Sequence, residues 1–66
     1  MKKYQSSHQP NLYFWAEKNP GPVASWSVTA QVTGFPATEA NDDWFANKAD
    51  AEELARTLAQ GELPNN

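Results

Sequence analysis

The stretch Val23–Thr33, VASWSVTAQVT, alternates apolar and polar residues along its length. Ala24, Trp26, Val28, Ala30 and Val32 hold the even positions; Ser25, Ser27, Thr29, Gln31 and Thr33 hold the odd ones. Successive side chains of a strand point to opposite faces, so this pattern describes a strand with one dry and one wet side. Such alternation belongs to antiparallel sheets covered on one face only. The chain must therefore supply partner strands and something to lay across the even face.

The cover is found near the C-terminus. Ala51, Leu54, Ala55 and Leu58 recur at three- and four-residue spacing, with Glu52, Glu53, Arg56 and Gln60 on the other side. Asn47 is suited to cap the first turn, with Asp50 at the third helical position, and Gly61 suits a C-terminal stop. Glu52 and Arg56 are spaced as an (i, i+4) ion pair. The spacing predicts a helix over 48–60.

The partner strand is Asn11–Lys18, NLYFWAEK, followed by the turn Asn19-Pro20-Gly21-Pro22. Proline fixes φ and glycine admits positive φ, so the chain reverses here into a hairpin. Trp44 and Phe45 favour a short third strand somewhere within 37–45, although Asn41-Asp42-Asp43 is turn chemistry. The expected fold class is α+β: a small antiparallel sheet of two to three strands, 11–18, 23–33 and one within 37–45, with a C-terminal helix on one face. Residues 1–10 read as a flexible tail, 11–61 as a single domain, and 62–66 as a frayed end.

With 66 residues and no cysteine, the chain has neither disulfides nor a cysteine-ligated metal to supplement a small core. Its three tryptophans are then a large share of the apolar area available for burial. One helix covers one face of such a sheet. In 11–18, Leu12, Phe14 and Ala16 share one face and Tyr13, Trp15 and Glu17 the other. Turning Leu12 and Phe14 inward sends Glu17 to water and leaves Tyr13 and Trp15 on the open face, beside Ser25, Ser27 and Thr29. Three readings of that face stay open. Either the N-terminal segment or the Phe35-Pro36 loop lies over the aromatics, or Tyr13, Trp15, Ser25, Ser27 and Thr29 form an interaction surface of interface-like composition, or the face simply stays partly wet.

The formal charge of −3 suits a protein partner, or a second copy of the chain, better than nucleic acid. The alternative is a single-stranded nucleic-acid-binding module, with Tyr13 and Trp15 as stacking platforms and Lys2, Lys3 and Lys18 supplying charge. Catalytic, cofactor-binding and metal-binding residues are expected to be none. The single histidine, His8, lies in the lead-in, no glycine-rich phosphate loop is present, and the Asn41–Asp43 run lacks calcium-loop spacing. No stretch approaches the ~20 apolar residues of a membrane span. Met1-Lys2-Lys3 opens like a signal peptide, but Tyr4–Pro10 is polar where the apolar region should follow. The sequence therefore reads as a small cytoplasmic, non-enzymatic adaptor acting through protein–protein contact or self-association. On this reading Trp26 lies under the helix, so Trp26→Ala costs about 3–5 kcal/mol and outweighs Trp15→Ala in stability.

Overall fold

The computed structural model describes residues 2–61, so the fraying expected for 62–66 lies outside the described residues. The fold is α+β: a four-stranded antiparallel open sheet of order β1-β2-β3-β4, followed by one C-terminal helix packed against β2 and β3. The strands are β1 (Tyr4–Gln5), β2 (Leu12–Lys18), β3 (Trp26–Val32) and β4 (Thr38–Glu39), and the helix is α1 (Lys48–Ala59).

The central hairpin pairs β2 with β3 in continuous register from Leu12↔Val32 to Lys18↔Trp26. One further rung closes each end: the Thr33 amide donates to the Asn11 carbonyl and the Asn19 amide to the Ser25 carbonyl, both at 2.9 Å. The hairpin loop thus runs from Asn19 to Ser25, and β3 begins at Trp26 rather than at Val23. The reason is chemical. Asn19 Nδ2 donates to Ser25 Oγ at 3.1 Å, while Asn19 Oδ1 accepts from Ser27 Oγ at 2.9 Å. Pro20 and Pro22 have no N–H to offer a ladder. Val23, formally on the alternating stretch, is left exposed.

Both flanking strands are short. The lead-in read as a tail contributes β1, with Tyr4↔Phe14 and Gln5↔Tyr13 in register. It is tied down twice. Ser6 Oγ accepts from the amides of His8 and Gln9, closing the turn into β2, and the Ser7 amide donates to the Ala59 carbonyl at the end of α1, 2.7 Å away. On the other side, Phe35 N–H to Val32 C=O closes a turn with Gly34 at φ 92°, the conformation a type II turn demands of its third residue. β4 then pairs with β3 through Thr29↔Glu39 and Ala30↔Thr38. This strand lies within the expected 37–45 window.

The helix meets the even face, as the alternation requires, with Leu12, Phe14 and Ala16 on the same side. Its deepest row is Ala51, Ala55 and Ala59, all buried, against Ala16 and Val28. Leu54 and Leu58, expected at the centre, are partly buried on the flank. Small side chains in the contact row let the helix axis approach the sheet, which pushes the larger ones outward. Phe45 is joined to Trp26 by two backbone hydrogen bonds of 2.8 Å and packs at the margin of this core.

Asn47 stands at the N-cap position in extended conformation, but its side chain makes no capping bond. Among the described residues Glu52 pairs with Lys48 and Arg56 with Glu53, rather than Glu52 with Arg56. At the C-terminus Gly61 has φ 79° and its amide donates to the Leu58 carbonyl at 3.0 Å; a Cβ there would strike the His8 imidazole.

Two substitutions test this packing by urea denaturation. Ala55→Leu should overpack the helix–sheet contact and lose about 1–3 kcal/mol. Asn47→Ala should lose less than the ~1 kcal/mol typical of a removed N-cap, because no side-chain bond is broken.

Candidate functional site

The face of the sheet away from α1 carries all five residues nominated from sequence. Period-two geometry puts Tyr13 and Trp15 beside Ser25, Ser27 and Thr29, and the register makes Trp15 the direct neighbour of Thr29 and Tyr13 that of Gln31. The face is not open at its centre. Trp15 is only 5% exposed, and Ser27 and Thr29 are buried with it. Lys3, one residue before β1, lies over the indole with its Nζ 4.5 Å from the ring centroid. Trp15 Nε1–H donates to Glu17 Oε1 at 2.7 Å. The N-terminal segment therefore reaches over this tryptophan, which was one of the three possibilities the sequence left open. The Phe35-Pro36 loop lies elsewhere, beside the helix-side groove described below.

The polar residues of this face serve the hairpin. Ser27 and Ser25 are both bonded to Asn19, as above, so their hydroxyls are engaged within the loop. Tyr13 is half-buried. Of the five residues, Trp15, Ser27 and Thr29 form a closed patch, Ser25 stands at the loop end of β3, and Tyr13 lies nearest the rim.

Exposed aromatic area is found elsewhere. Trp44 is 67% exposed and Phe35 64%. Trp44 owes its position to a change of register along β3. The Ala40 amide is bonded to the Val28 carbonyl, and Phe45 is bonded to Trp26 in both directions. Two residues of β3 are thus spanned by five steps of the opposing chain, and 41–44 is thrown out as an excursion pinned at both ends. Inside it Asn41 Nδ2 donates to Asp43 Oδ2 at 3.2 Å, while Asn41 Oδ1 has no hydrogen-bond partner among the described residues.

Two grooves flank the helix–sheet layer. One, of about 320 Å³, lies where α1 fails to cover the even face, with Leu12, Ala30 and Val32 walled by Phe35, Pro36 and Thr38. The other, of about 560 Å³, runs between the excursion and the helix flank; it is lined by Phe45, Leu54 and Thr57 with Asp43, Asp50 and Glu53. Asp50, Glu53, Leu54 and Thr57 share one flank of α1 at three- and four-residue spacing, beside the sheet-facing alanine row.

Sequence reasoning missed Trp44 as a surface residue because Trp44-Phe45 reads as strand. The signal was the preceding Asn41-Asp42-Asp43, whose turn chemistry separates Trp44 from a continuous ladder. Among the described residues, no group of three or more histidine, aspartate or glutamate side chains is placed to hold a metal ion, and no helix is long and apolar enough to cross a membrane. No protein-family model, curated protein or solved structure matches this chain.

The burial of Trp15 reverses the stability ranking of the tryptophans. Trp15→Ala should cost about 3–5 kcal/mol, more than the same change at the half-buried Trp26. Thermal melts of the two variants compare them directly, and a Trp15→Ala protein that melts like wild type would show that the outer face contributes no core.

Proposed function

We propose that this chain is a small, non-enzymatic cytoplasmic protein that works by docking onto another protein. The contact is centred on Trp44 rather than on Trp15, with Phe35 a second exposed aromatic at the other end of β3. The carrying observation is the excursion 41–44: a domain whose buried core is largely alanine holds its most available indole outside, on a segment fixed at both ends. Tryptophan is the residue most enriched among interface hot spots, and a rigid mount reduces the ordering cost of binding. Self-association is the same reading with a second copy as partner. Tyr13, Trp15, Ser25, Ser27 and Thr29 support that surface from within by fixing the hairpin.

Nucleic-acid binding is the weaker reading. Lys3 and Lys2 lie over the Trp15 and Tyr4 rings, and Trp15 offers little free face for a base to stack on.

The test compares wild type with the Trp44→Ser/Phe35→Ser double variant, each tagged in the native host. Both side chains are mostly exposed, so the variant should melt within a few degrees of wild type. A protein co-purifying with wild type and lost from the variant, then shown to bind in purified form, is the expected result. Sedimentation over a concentration series covers the homodimer. Identical partner profiles together with a variant-insensitive monomer would overturn the proposal.

A further inference from the structure

The groove between α1 and the excursion has a definite chemical character. Its floor is apolar, from Phe45, Leu54 and the Thr57 methyl-bearing side chain; its lining carries three carboxylates, Asp43, Asp50 and Glu53. Trp44 stands between two lining residues in sequence and is exposed. Asp42, the next residue before Asp43, adds a further exposed carboxylate on the excursion. Three of these carboxylates have local company. Asp43 accepts from Asn41 Nδ2 and Glu53 from Arg56, and Asp50 lies in the first turn of α1 where the helix dipole favours an anion. None of the described lining residues is basic.

We propose that this groove receives a basic amphipathic segment of the partner protein, an apolar side chain on Phe45 and Leu54 with lysine or arginine side chains against Asp43, Asp50 and Glu53. The inference rests on the protein-docking reading above and adds the partner's chemistry. Charge complementarity selects the occupant: an acidic strand or a nucleic-acid backbone meets like charge at the rim, whereas a basic segment gains attraction there and buries its apolar face on the floor. A second copy of this chain, itself at net charge −3, is a poorer match.

The probe is a fluorescein-labelled helical peptide of lysine, leucine and alanine with leucines at i and i+4, set against the same composition in scrambled order and a glutamate-for-lysine version. Fluorescence anisotropy should show binding of the ordered lysine peptide that weakens at least about tenfold between low and high salt. The scrambled and glutamate peptides should bind at least about tenfold more weakly. The Asp43→Asn/Asp50→Asn/Glu53→Gln variant should lose binding, whereas Glu17→Gln/Glu39→Gln, which removes charge away from the groove, should retain most of it. Amide shifts on titration should centre on Phe45, Leu54 and Thr57. Equal loss in the two charge variants, equal binding of the scrambled peptide, or shifts centred on Lys3 and Trp15 would each overturn the groove assignment. So would displacement of the peptide by a single-stranded oligonucleotide. If the Asp43/Asp50/Glu53 variant still captures the native partner that Trp44→Ser/Phe35→Ser loses, the groove assignment falls while the docking reading stands.

Discussion

The structure depends on how closely α1 can lie on the sheet. Ala51, Ala55 and Ala59 form the buried row of the helix, and they meet Ala16 and Val28. Alanine gives little area per residue, so this contact contributes less transfer free energy than a leucine row would. It permits a short helix-to-sheet distance instead. That distance decides where bulk goes: Leu54, Leu58, Phe14, Trp26 and Phe45 cannot enter the centre and pack round it. The same closeness brings the helix C-terminus within reach of the lead-in, so Ser7 can bond the Ala59 carbonyl and His8 can lie against Gly61. β1 is therefore a consequence of the helix position as much as of its own sequence.

An alanine-rich inner layer leaves a small domain short of burial, and the outer face makes up part of it. Trp15 lies among Lys3, Glu17 and Thr29 and is as protected as the core residue Ala16. Ser27, Asn19 and Ser25 complete that side with a hydrogen-bonded cluster that also ends the hairpin. The central hairpin is thus buried on both faces near Trp15, Ser27 and Thr29, although one face has no second layer. Large aromatic and long charged side chains achieve this because a lysine stem covers apolar surface while its ammonium stays in water.

What remains available lies at the periphery. The excursion 41–44 exposes Trp44 and borders a groove with carboxylates on an apolar floor. Conflicts between local stability and local geometry tend to fall at functional positions, where another requirement sets the residues. The proposed docking site is the place in this chain where that conflict is most visible.

Residues of strict local pattern announced their structure. The two-residue period of 26–32 set which side chains lie on the helix side, and the spacing of 51, 54, 55 and 58 set the helix itself, since both follow from fixed backbone repeats. The even face of β2 followed because Glu17 prefers water. Local pattern carries no information on distance between elements, and there the tertiary structure decided. It selected alanine over leucine for the central contact row, recruited Tyr4–Gln5 as an edge strand, and closed Lys3 over Trp15. It also moved the start of β3 to Trp26, through an asparagine whose partners lie six and eight residues away. The register change that exposes Trp44 is of the same kind: Asn41-Asp42-Asp43 signals a turn, but the two pairings on β3 that fix its ends lie between elements distant in sequence.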